Sequence, residues 1–119
     1  MDLQLDHVAI LCEDLDSSVE FYKNTFGGVP TDMRKGSAGY RFCFVKINGR
    51  TAVQLMESPL NEPGVHHYGF VTHNIEQAAK DLTASGATVL RENRDAAGNL
   101  TTIFLKEPNG LEIEVRIPR

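Results

Sequence analysis

A chain of 119 residues, 41% hydrophobic and 24% charged, is long and apolar enough for one globular domain with its own core. Its formal net charge of −4 argues against a nucleic-acid-binding face, and no apolar run is long enough to span a membrane. The opening residues MDLQLDHVAI lack the basic start and cleavage site of a secretory signal, and two cysteines, Cys12 and Cys43, make no disulfide framework.

The first predicted element is a strand over LDHVAIL, rich in β-branched and apolar residues. Asp14, with Ser17 three residues later, then reads as a helix N-cap, because a short acceptor side chain can take an orphan backbone N–H of the first turn. The helix SSVEFYKNTF places Val19, Tyr22 and Phe26 on one face and stops at Gly27-Gly28. Three strands are expected next, around 30–34, 40–47 and 51–57, with a tight turn at Asn48-Gly49. After a joint over residues 58–64 comes a second strand of the first kind, HHYGFV. Asn74 caps a second helix, EQAAKDLTAS, which puts Ala78, Ala79 and Leu82 on one face and ends at Gly86. Strands around 88–92, 100–106 and 111–117 follow, with Asn109-Gly110 turning into the last.

The order βαβββ thus occurs twice, and the residues repeat with it. Shifting the chain by 60 positions lays LDHVAILCEDLDSSVEF over VHHYGFVTHNIEQAAKD without a gap, so that His7 falls on His67 and Asp14 on Asn74. Phe44-Val45-Lys46 falls on Phe104-Leu105-Lys106, and Val53-Gln54-Leu55 on Ile113-Glu114-Val115. The chain reads as a single α+β domain over 1–119, built from two tandem βαβββ modules at about 4–57 and 65–117. Together they predict a curved, partly open mixed sheet with the helices outside.

Alternation along strands then sorts the polar residues. Val8 and Ile10 suit the helix side of the first strand, leaving His7 and Ala9 opposite. Val53 and Leu55 likewise leave Gln54 opposite. Tyr68 and Phe70 leave His67 and Gly69, and Ile113, Val115 and Ile117 leave Glu112, Glu114 and Arg116. His7, Gln54, His67 and Glu114 therefore share the face away from the helices, as two pairs with one spacing, since 54 − 7 and 114 − 67 are both 47. Two imidazoles, an amide oxygen and a carboxylate make a plausible cage for a divalent ion. Glu112 is expected beside this set, facing solvent or supporting it. His66 has the opposite parity, which suits a rim or a contact between subunits, and His73, just before a helix, reads as surface. The glycine-rich, basic run at 33–41 is a solvated loop or a mobile cover for an anionic substrate.

The segments LDHVAILCEDLDSSVEFYKNTFGG, AVQLME, HHYGFVTHNIEQAAKDLTASGA and KEPNGLEIEV resemble the vicinal oxygen chelate superfamily, which includes glyoxalase I, methylmalonyl-CoA epimerase, extradiol dioxygenases, and fosfomycin and bleomycin resistance proteins. The resemblance covers nearly the whole chain. It implies metal ligation by the histidine on the first strand of each module and by the Glu or Gln on the last, which again points to His7, Gln54, His67 and Glu114. The His, Gln, His, Glu set looks most like the epimerase branch, whereas glyoxalases tend to carry a second glutamate where Gln54 stands.

Such a site implies an isomerase, epimerase or lyase that moves a proton next to a carbonyl on a small oxygen-chelating substrate. Glu114 is the expected base, and Zn, Ni, Co or Mn the expected metal. The alternatives are an Fe(II) extradiol-type dioxygenase, for which His7, His67 and Glu114 would form the two-His, one-carboxylate triad, or a metal-free ligand-binding or resistance protein of the same fold. A homodimer is expected, with no nucleic-acid or membrane partner, in the cytoplasm, with both thiols reduced and buried.

Overall fold

The computed structural model describes residues 1–36, 38–58 and 62–119 of the chain. Two helices and nine strands occur among them, in the order β1 (Gln4–Cys12), α1 (Leu15–Phe26), β2 (Val29–Pro30), β3 (Arg34–Lys35), β4 (Arg41–Ile47), β5 (Arg50–Glu57), β6 (Gly64–Val71), α2 (Ile75–Ala84), β7 (Val89–Arg94), β8 (Leu100–Lys106) and β9 (Glu112–Arg116). The fold is α+β with mixed strand pairing, and each half has a strand, a helix and then the remaining strands. The chain forms two compact units, His7–His66 and Met1–Asp6 with His67–Arg119.

In the unit His7–His66, β1 runs parallel to β5, β5 pairs antiparallel with β4, and β4 carries β2 and β3 on its other side. The Asp14 carboxylate accepts from the Ser17 N–H at 3.1 Å and starts α1, and Gly27, at φ 63°, ends it in the left-handed conformation that glycine adopts without strain. The same Ser17 N–H lowers the Asp14 pKa. Val19 and Tyr22 of α1 pack on Cys12, Leu15, Cys43, Val45 and Leu55, with Ile10, Ile47 and Val53 at the margin. Both cysteines are free and buried, and burial pushes the Cys43 thiol pKa up.

Two expectations are corrected here. Phe26 does not join the core. It is 54% exposed and stacks on Tyr22 at 5.8 Å, because the helix ends immediately after it and the ring lies over its helical neighbours rather than the strands. The single strand expected around 30–34 is two short pieces. Pro30 has no N–H to continue a ladder, and Thr31 uses its side chain instead, its Oγ1 accepting the Phe44 N–H at 2.9 Å while its own N–H donates to the Phe44 carbonyl. The ladder resumes at Arg34, opposite Phe42.

In the other unit, β6 runs parallel to β9, and β9, β8 and β7 follow antiparallel, with register shifts between Val89 and Arg91 and between Asn93 and Arg94. The Asn74 side chain accepts from the Gln77 N–H and starts α2. The expected stop at Gly86 falls one residue earlier. Ser85 is the C-cap, with its N–H donating to the Asp81 carbonyl, and Gly86 follows at φ 87°. Ile75 and Ala78 pack on Leu100, Ile103, Leu105 and Val115, with Ala79, Leu82, Ile113, Ile117 and Leu3 around them. The Thr72 hydroxyl donates to Asp2 at 2.6 Å and holds the N-terminal segment to this unit. Of the expected joint, residues 59–61 lie outside the described residues, as does Ser37 of the basic loop. No helix among the described residues is long and apolar enough to cross a membrane.

Candidate functional site

Strand register places the four polar residues. In the first unit, Ile10 lies opposite Leu55 and Ala9 opposite Gln54. Ile10 and Leu55 belong to the core under α1, so Ala9, Gln54 and, two residues back, His7 lie on the other face. Phe44 pairs with Gln54, and its ring meets the His7 imidazole edge-on at 5.6 Å. In the second unit, Phe70 lies opposite the core residue Val115 and Gly69 opposite Glu114. His67, Gly69 and Glu114 therefore lie away from α2, and Phe104 pairs with Glu114.

The two halves share one local plan. A histidine sits two residues before a small residue, and a long polar side chain stands across from that small residue. Ala9 and Gly69 thus put the smallest side chains directly across from Gln54 and Glu114. All four polar residues are buried: His7 is 1% exposed, Gln54 8%, His67 5% and Glu114 8%. Groups this polar are kept out of water only where something compensates them.

Within the second unit, Nε2 of His67 lies 3.3 Å from Oε2 of Glu114. Two ligands bound at about 2.0–2.1 Å in tetrahedral geometry stand about 3.3 Å apart, so this gap suits a shared cation as well as a direct hydrogen bond. The other carboxylate oxygen, Oε1, faces Nη1 of Arg116 at 3.4 Å. Within the first unit, the Gln54 side-chain amide makes no hydrogen bond to another described residue. A nearly buried amide oxygen of that kind is a ready ligand for a divalent ion.

The neighbours also have defined roles. Glu112 pairs across from His67 and receives both Nη1 and Nη2 of Arg91, at 3.0 and 2.9 Å, and these bonds raise the Arg91 pKa. Arg91 in turn lies 3.9 Å over the Phe104 ring. His66 is half-buried, and His73 is exposed, its N–H donating to Asp2. Within the basic run at 33–41, Gly36 donates its N–H to the Tyr40 carbonyl, and β3 pairs back on β4. Arg41 is held by Glu57 at 3.2 Å and Asp16 at 3.5 Å, which spends its charge inside the protein. The Arg41 backbone N–H, 2.6 Å from Glu57, also holds that carboxyl below the usual carboxylate range.

Sequence reasoning placed Arg116 on this face but gave it no task, and it missed Arg91 altogether. Parity could have indicated Arg116, since it follows Glu114 by two. No sequence pattern announces Arg91, whose place depends on the irregular register of β7.

The family model described as Glyoxalase/Bleomycin resistance protein/Dioxygenase superfamily matches residues 4–115. A glyoxalase domain-containing protein of Mycosarcoma maydis is 28% identical over 117 residues, covering 93% of this chain, which spans 66% of that relative's length. The mitochondrial methylmalonyl-CoA epimerase of Dictyostelium discoideum is 27% identical over 128 residues, covering 94% of this chain and 76% of its own. Among solved structures, a Streptomyces coelicolor methylmalonyl-CoA epimerase in complex with 2-nitronate-propionyl-CoA is 30% identical. It matches with a TM-score of 0.73 over 94% of each chain.

Proposed function

The chain belongs to the glyoxalase, bleomycin resistance protein and dioxygenase superfamily, and from that premise we propose that it is a divalent-metal-dependent isomerase, epimerase or lyase. Its reaction moves a proton next to a carbonyl on a small substrate that chelates through two oxygens. The observation that carries the reading is the repeated half-site, with His7 and Gln54 in one unit and His67 and Glu114 in the other, all buried on the face away from the helices.

His7, Gln54, His67 and Glu114 are the proposed ligands, two imidazoles, one amide oxygen and one carboxylate without a thiolate, a set that suits Zn, Ni, Co or Mn. When bound, the ion supplies positive charge that stabilises negative charge developing on the substrate oxygens. Glu114 divides its two oxygens. Oε2 stands on the His67 side, as a ligand should, and Oε1 is the atom that takes the carbon-bound proton and returns it. Phe44 keeps the His7 ring oriented, and Phe104 lines the same face beside Glu114.

The test begins with the metal content of protein purified without chelators. The protein is then incubated in deuterium oxide with an acyl-CoA such as methylmalonyl-CoA, or with a thiol–ketoaldehyde adduct. Deuterium should appear at the carbon next to the carbonyl, stop when the metal is stripped, and return when it is restored. Iron as the metal with oxygen consumed, or no divalent metal bound at all, would overturn the reading. We also propose that the protein works as a homodimer, as each unit has a sheet face that its helix does not cover. Sedimentation across micromolar concentrations should show twice the chain mass, and a constant monomer mass would rule it out.

A further inference from the structure

We infer that the substrate carries a second anionic group, a carboxylate or similar oxyanion, which is received by a row of donors formed by Arg116, Thr102 and Asn93. The inference rests on the reading above and narrows its substrate class.

The row follows from register within one unit. Arg116 of β9 lies opposite Thr102 of β8, and Thr102 lies opposite Asn93 of β7. All three share the face that carries Glu114, because Arg116 follows Glu114 by two residues and Thr102 precedes Phe104 by two. Measured along the β9 backbone the row is about 7 Å from Glu114, the reach of two strand residues, and the Arg116 side chain reaches back to bring Nη1 within 3.4 Å of Oε1. A carboxylate one or two carbons from the reacting carbon spans that distance.

The donors are available for a ligand. The Arg116 guanidinium, 26% exposed, uses Nε on the Ile117 carbonyl and Nη1 on Glu114 at a long 3.4 Å. Its Nη2 edge makes no bond to any described residue. Thr102 is 7% exposed, and its hydroxyl likewise has no partner among the described residues. The Asn93 side chain is exposed, and only its backbone carbonyl is used, accepting the Thr101 hydroxyl. Arg91, by contrast, is committed to Glu112 through two bonds and to the Phe104 ring. The same face thus holds one guanidinium that is fully engaged and one with an open edge beside the proposed base. An open Nη2 on a half-buried guanidinium, flanked by a hydroxyl, can donate to the oxygens of a carboxylate.

Two probes separate this role from simple support of Glu114. Succinate binds a metal through one carboxylate and carries a second one free, whereas acetohydroxamate chelates through two oxygens and has no second anionic group. Calorimetric titration of the cobalt-loaded protein should show succinate binding weakened about 10- to 100-fold by Arg116→Ala, the loss of a charge-assisted hydrogen-bonded pair. Arg116→Lys should recover part of it, and Thr102→Val should lose several-fold, in the range of one neutral hydrogen bond. Acetohydroxamate should bind all four proteins within about twofold, since it makes no charge-assisted bond in the row. Succinate binding unchanged by Arg116→Ala would overturn the inference, and so would an equal loss of both probes, which would make Arg116 a prop for Glu114. Failure of the metal reading would appear separately, as no cobalt bound by the wild type. Succinate titration of the metal-free protein, followed by amide shifts at Thr102 and Arg116, then decides alone. The shifts should saturate on the order of millimolar succinate and vanish in Arg116→Ala; their absence in the wild type would likewise defeat the inference.

Discussion

Glu114→Gln is expected to lower turnover by about two to four orders of magnitude, the contribution of a positioned general base, while the protein still folds and binds metal. Glutamine keeps an oxygen of the same reach and can still lie across from Gly69, as Gln54 lies across from Ala9. What it loses is basicity at the position of Oε1. Glu112→Gln supplies the contrast. It removes the charge that pairs with Arg91 at 3.0 and 2.9 Å but leaves the proposed ligands and base in place, so its effect on turnover should be far smaller. Turnover is compared at matched metal content. Near-normal activity in Glu114→Gln, with a large loss in Glu112→Gln, would move the base two residues along β9.

Replacing both histidines, His7→Ala with His67→Ala, should lower metal affinity by more than about 100-fold, beyond what is typical for losing a partner that merely orients a ligand. Each change removes an imidazole that is nearly fully buried, at 1% and 5% exposure, so circular dichroism must show the fold retained before the metal result is read. The milder pair His7→Gln with His67→Gln keeps polarity and most of the volume, and it should weaken binding without emptying the core. Full occupancy in a folded double variant would show that the ion is held elsewhere.

Much of this arrangement was legible in the sequence because it rests on periods of two and on caps. Val53 and Leu55 flank Gln54, and Ile113 and Val115 flank Glu114, so the alternation shows which face each of these strands buries, and His7 and His67 follow by parity on their own strands. Asp14 and Asn74 marked helix starts by a local bond that needs no tertiary contact. Features that depend on several segments at once were not legible. Phe26 has the right helical spacing for the core, yet where the helix ends decides that it stacks on Tyr22 instead. The break after Pro30 depends on Thr31 finding Phe44, 13 residues away. Arg41 reads as a loop cation, but Glu57 and Asp16 converge on it from β5 and α1. Arg116 was visible by parity, but its open edge depends on where Glu114 and the Ile117 carbonyl stand.

The interrupted strand at Pro30 and the two register shifts in β7 bear on how copies of the protein avoid one another. β2 ends the row of strands on β4, and β7 ends the row on β8, so each presents backbone that another chain could extend into a polymer. β2 offers two residues, one of them a proline with no N–H to donate. β7 is exposed along its whole length, but Arg91, Glu92 and Arg94 put three charges in six residues, and its irregular register breaks the straight template that a neighbouring strand would need. Both outer strands therefore resist strand-by-strand aggregation, and pairing of two copies through either of them is disfavoured relative to contact through a face.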